Sequence, residues 1–109
     1  MFHLLEILQK VWLNYIMQFE WDPRKNAENE VKHRVSFFEA QLAFADPDRV
    51  IRIDRKHSTK KEKRYFCFGK VYDEILTVCF CIRRNSIRIF GAGFWREGRR
   101  FYEEKDAIQ

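Results

Sequence analysis

The sequence predicts an α+β fold: N-terminal helices packed on an antiparallel sheet of about four to five strands, closed by a C-terminal helix. Three observations carry this. Apolar residues follow helical spacing up to residue 45 and switch to a period of two from residue 49. Two helix-start signals, Asp22-Pro23 and Ser36 with Glu39, stand close together ahead of that switch. The stretch ILTVCFCIR, residues 75–83, is almost continuously apolar, as suits a central strand covered on both faces. At 109 residues, with 46% hydrophobic and 17% aromatic content, the chain has material for one core.

The first 16 residues, MFHLLEILQKVWLNYI, are apolar but include Glu6 and Lys10. They are too few to span a bilayer and lack the basic start and cleavage site of a signal peptide. Leu4, Leu8, Val11 and Tyr15 have helical spacing. Met17 stands directly before QFEWD. Residues 1–16 therefore read as an N-terminal extension, an amphipathic helix or the product of an upstream start codon. Residues 17–109 read as the single domain.

FEWD, residues 19–22, reads as a short strand entering a helix cap. Asp22 can accept from free backbone N–H groups, and Pro23 suits the first helical position. The helix over 23–33 is mostly polar, with Ala27 and Val31 its thin apolar stripe, and His33-Arg34 suit its C-terminal end. A second helix is expected over about 37–45, opened by the capping box and stopped by Asp46-Pro47. Strands follow at 49–54, 64–71, 75–83 and 86–90. On the third of these, Leu76, Val78, Phe80 and Ile82 form a large face that should carry the helices. Thr77, Cys79, Cys81 and Arg83 form a smaller face that should line a shallow groove. Gly91-Ala92-Gly93 is expected to turn sharply or to let a ligand approach the backbone. The last helix is expected over about 95–105.

The net charge of +5 suggests an anionic partner, nucleic acid first. It is local: residues 55–64 hold six cations (Arg55, Lys56, Lys60, Lys61, Lys63, Arg64) against Glu62, a surplus equal to that of the whole chain. A lone charge run is most often a solvated loop. Here Arg64, Arg83 and Arg88 also stand on strands or strand ends, where side chains are held. Cys67, Cys79 and Cys81 form an odd set without a secretory signal and read as reduced thiols. No second Cys/His pair completes a ligand set, so neither metal nor other cofactor is expected.

Metal-free RNA cleavage requires deprotonation of the 2′-OH, stabilisation of the phosphorane and protonation of the leaving 5′-oxygen. Arginine suits the second task but not proton transfer. Base or acid must come from His57, His33, Glu62 or a loop lysine. His57 reads first as an exposed loop histidine and second as a base, and His33 more readily still as a helix-end residue. Trp21 and Trp95 can stack bases or belong to the core or a lid.

These features resemble the BrnT family, the toxin half of type II toxin–antitoxin pairs, related in fold to RelE-like ribonucleases. The resemblance rests on FEWDPRKNAENEVKHRVSFFEA, Asp46-Pro47, His57-Ser58 with Arg64 and Gly69, the strand ending at Arg83, Arg88-Ile89 and the terminal YEE, about residues 18–104. It implies a cytoplasmic, metal-independent endoribonuclease that arrests growth by cleaving RNA. It also implies neutralisation by a BrnA-like ribbon–helix–helix antitoxin, through which alone operator DNA is contacted. Lys32, His57, Arg64, Arg83 and Arg88 are implied catalytic residues. Lys60, Lys61, Lys63 and Arg96 are the expected RNA-binding set. Where many members read Arg-Ile-Ile-Ser-Ala-Arg, this chain reads Arg88-Ile89-Phe90-Gly91-Ala92-Gly93, so a glycine occupies the second arginine position. Arg96 is expected to fill that space, with Phe94 and Trp95 walling the groove. The rival reading is a non-catalytic RNA- or antitoxin-binding partner, or co-repressor, that has lost strong nuclease activity.

Overall fold

The computed structural model describes residues 18–104. The expected extension over 1–16 lies outside them. The elements are β1 (Gln18–Trp21), α1 (Pro23–His33), α2 (Phe37–Ala40) running into a 3₁₀ turn (Gln41–Ala45), β2 (Val50–Ile53), β3 (Arg64–Val71), β4 (Glu74–Arg83), β5 (Ser86–Gly93) and α3 (Arg96–Glu104). The five strands form one sheet in the order β1-β5-β4-β3-β2.

The α+β class stands, and the sheet is mixed. Strands β2 to β5 pair antiparallel, while β1 joins β5 in parallel, with Phe19 opposite Ile87 and Trp21 opposite Ile89. The two helical segments carry the chain from β1 to the opposite edge. Three successive reversals then bring β5 back beside β1, pointing the same way.

Helix boundaries follow local chemistry. Asp22 caps α1 by accepting from Arg24 N–H at 2.9 Å, with Pro23 in the first turn. Arg34 ends α1 in the left-handed region, φ 58°. Ser36 and Glu39 form the expected capping box. The helix expected over 37–45 is α-helical only to Ala40. The tighter 3₁₀ turn beyond brings residues three apart into line. Ala40 and Ala43 thus both press on the sheet, fully buried.

The large face of β4 carries the core as expected: Leu76, Val78 and Phe80 pack with Phe37, Phe44, Ile87 and Ile89. In α1 the buried residue is polar. Asn29 accepts Ala92 N–H at 3.2 Å and donates to the carbonyls of Ala92 and Val35, both at 2.9 Å. The β1–β5 pairing ends at Trp21–Ile89, so the Asn29 amide takes the place of a strand neighbour at Ala92.

On the smaller face of β4, Thr77 and Cys81 are both buried. Helix α3 covers the Thr77 end: Gly98 lies against Thr77 and Phe68, and Phe101 stacks on Phe68 at 5.4 Å. Tyr102 O–H anchors this helix by donating to Asp46 at 2.7 Å. The turn expected at Gly91–Gly93 is not there. Strand β5 continues to Gly93, and neither glycine has positive φ.

Candidate functional site

Register builds the Arg83 end of the smaller face. Arg64 on β3 lies opposite Cys81 on β4, Cys81 opposite Arg88 on β5, and Arg88 opposite Glu20 on β1. Strands are about 4.8 Å apart, so these side chains form one row across the sheet. Arg83, two residues beyond Cys81, stands on the same face. Between Cys79 and Phe80 the β4–β5 register shifts, and Phe90 is the extra residue on β5. Such a bulge re-aims its side chain. The Phe90 ring has the Arg64 guanidinium over it at 4.1 Å, Lys25 at 5.4 Å and Arg83 at 5.9 Å.

Carboxylates meet the arginines. Glu62 accepts from Arg83 Nε at 3.2 Å and Nη2 at 3.0 Å, and from Arg64 Nε at 3.3 Å. Burial alone would raise the Glu62 carboxyl, but the bonds and charges of Arg83 and Arg64 outweigh it and hold the group below its ordinary value. The Glu62 bond in turn raises Arg83. Glu62 was a proton-transfer candidate in the sequence; in the fold it clamps two guanidinium groups. Arg88 pairs with Glu20 at 3.4 Å.

The basic loop is tied to this row. Asp54 N–H donates to the Arg64 carbonyl at 2.8 Å. Ser58 Oγ donates to the Asp54 carbonyl at 2.6 Å and accepts Arg64 N–H at 2.9 Å. His57 Nδ1 lies 2.8 Å from Asp54 Oδ2. The partly buried Cys79 thiol is pushed up to about 11, by burial first and by the Asp54 carboxylate, with Arg64 opposing. Continuing the β2–β3 register past Ile53–Tyr65 sets Asp54 opposite Arg64, so the Asp54 side chain stands on the arginine face. All three thiols are raised, chiefly by burial, which leaves them protonated at neutral pH.

The remaining expected residues divide. Lys60, Lys61 and Lys63 are exposed on the loop. Lys32 is exposed on α1, on the stripe of Lys25 and Asn29 but on the order of 10 Å further along the axis than Lys25. His33 meets the Trp95 ring edge-on at 5.2 Å. Trp21 packs edge-on against Phe37, partly buried against the core. Arg96 does not join the row. It lines a cleft of about 400 Å³ with Lys70, Asp73, Glu74 and Arg99. Glu74 begins β4 and Arg83 ends it, so that cleft opens roughly 30 Å from the clamp. Glu20, Lys25, Asp54 and Phe90 were not singled out from sequence. Only Asp54 had a local signal, its spacing of three from His57. Among the described residues, no group of three or more His, Cys, Asp or Glu side chains is placed to hold a metal ion.

Gly93 has its own explanation. A Cβ there would lie 2.5 Å from Trp95 Cζ2 and 2.8 Å from Nε1, so the indole occupies the space that a side chain would need. Gly93→Arg alone is expected to destabilise the fold by about 1–3 kcal/mol and to leave RNA cleavage no faster. Combined with Trp95→Ala, the arginine has room, and cleavage should exceed that of Trp95→Ala. Thermal melts and single-turnover assays on the three variants check both statements.

Two clamped arginines and a third in line, over an aromatic floor and beside a carboxylate–imidazole pair, can bind a phosphodiester and move a proton next to it. Residues 21–97 match the family model described as "Ribonuclease toxin, BrnT, of type II toxin-antitoxin system". No curated protein sequence matches the chain.

Proposed function

The chain belongs to the BrnT family of ribonuclease toxins of type II toxin–antitoxin systems, and from that premise we propose that it is a metal-independent endoribonuclease whose active groove is the Arg64–Arg83–Arg88 face. The observation that carries this is the convergence of three arginines from β3, β4 and β5 on one face, with the histidine-paired Asp54 bonded through its backbone to Arg64. Planar guanidinium forks match the oxygens of a phosphorane. In the resting protein Glu62 and Glu20 occupy those forks, so substrate phosphate replaces one anion by another. His57 takes the 2′-OH proton as O2′ bonds to phosphorus. The P–O5′ bond breaks, and O5′ takes a proton from water. The products are a 2′,3′-cyclic phosphate and a 5′-OH.

Lys60, Lys61 and Lys63 guide the RNA backbone into the groove. Replacing all three by Gln is expected to weaken RNA binding and flatten the dependence of log K on log salt by about 2. An unchanged slope in a titration from low to moderate salt removes the loop from the interface. A BrnA-like ribbon–helix–helix antitoxin would cover this same basic face, keep RNA out and supply the contact with operator DNA. Cleavage would inhibit translation by destroying messages.

The deciding experiment incubates the purified chain with end-labelled RNA in EDTA. Cleavage that persists and leaves cyclic phosphate ends supports the proposal; cleavage that requires added magnesium overturns the metal-free mechanism. One observation favours a second reading, a non-catalytic RNA- or antitoxin-binding partner: Trp95, not a cation, fills the space at Gly93. Tight RNA binding without cleavage by any preparation would select it.

A further inference from the structure

We infer that Asp54 is a positioning residue of the ribonuclease reaction, holding His57 in the tautomer that leaves Nε2 free as the base. The inference rests on the reading above and adds a residue to it. The Asp54 side chain is 9% exposed, while that of His57 is 56% exposed. A buried carboxylate thus holds a ring that stands half in solvent. A carboxylate oxygen accepts, so at the 2.8 Å contact a neutral ring donates from Nδ1. Nε2, on the other edge of the ring, then carries a lone pair.

The turn itself does not need this bond. Asp54 Oδ1 already accepts His57 N–H at 3.2 Å, and Ser58 Oγ and Arg64 close the loop around it. The imidazole contact therefore orients the ring beyond what the loop requires. Because the Asp54 backbone is bonded to Arg64, the ring is referenced to the same strand end that carries a phosphate ligand. A base has to lie within hydrogen-bond reach of the proton it takes, and a freely rotating exposed ring would meet that condition only part of the time.

The experiment has two arms on the full chain. In the first, ¹⁵N-histidine spectra, assigned with His57→Asn, report the tautomer of neutral His57. The wild type should show a protonated Nδ1, and Asp54→Asn should shift the ring toward protonated Nε2. In the second, kcat and KM for a short RNA are measured for Asp54→Asn, His57→Asn and the double variant, with circular dichroism confirming the fold. Asp54→Asn should lower kcat by about 10- to 100-fold with KM little changed. It should lower the rate no further in the His57→Asn background, because a residue acting through His57 has nothing left to position. An Nε2-protonated ring in the wild type, full kcat in folded Asp54→Asn, or an additive loss in the double variant would each overturn the inference. A wild type that cleaves no RNA overturns the ribonuclease reading and with it the catalytic role, while the spectra separately decide whether Asp54 sets the tautomer.

Discussion

Arg64→Ala is expected to lower single-turnover RNA cleavage by about a hundredfold or more, the loss of roughly 2.7 kcal/mol of transition-state stabilisation or more. Arg64 is at once a row member opposite Cys81, a partner of Glu62 and the cation nearest the Phe90 ring. Its removal takes away one fork and leaves Glu62 engaged by Arg83 alone. The fold should persist, because the Arg64 side chain is 37% exposed and its backbone bonds to Asp54 and Ser58 are unchanged. Arg64→Lys keeps the charge but not the planar fork and should recover only part of the rate. Arg83→Ala should resemble Arg64→Ala, and the pair should lose less than the sum, since both act on Glu62. Arg88→Ala tests the other end of the row; Ile87 and Ile89 beside it are buried in the opposite face, so the core is spared. Full activity in folded Arg64→Ala and Arg88→Ala would remove the arginine face from catalysis.

Gly69→Ala is expected to destabilise the domain by about 3 kcal/mol, lowering the melting temperature by more than about 10 °C. Gly69 lies on β3 where the 3₁₀ turn crosses it. A Cβ there would meet the Ala43 carbonyl oxygen and stand 2.7 Å from both the carbonyl carbon and Cα of Ala43. All three are backbone atoms, so no side-chain rotation relieves the contact. Either the turn lifts from the sheet or β3 bends away from β4, where Gly69 pairs with Leu76. Thermal unfolding followed by circular dichroism reads the effect. An unchanged midpoint would show that the turn can lift at no cost and does not help hold the core.

The sequence by itself determined what depends on neighbours along the chain. Asp22-Pro23 and the Ser36/Glu39 box placed two helix starts, because capping bonds span two or three residues. Alternation placed β3 at residues 64–71 and assigned the large face of β4 to the core, because side chains on a strand alternate whatever lies beyond them. It also picked Arg64, Arg83 and Arg88 as held cations. Tertiary structure alone decided who meets whom. The parallel β1 edge, the Asn29 bridge to a strand 63 positions away and the pairing of Arg83 with Glu62, 21 positions away, leave no local trace. Gly93 read as a turn or a lost arginine, but it is straight strand beneath Trp95. Arg96 read as a groove residue, but α3 carries it to a cleft at the far end of β4. Phe90 read as one more strand residue until the bulge placed it under three cations. Capping and alternation are one-dimensional and survive in the order of residues. Register, bulges and crossing helices are set by which faces bury together, and that is decided only when the whole sheet closes on its core.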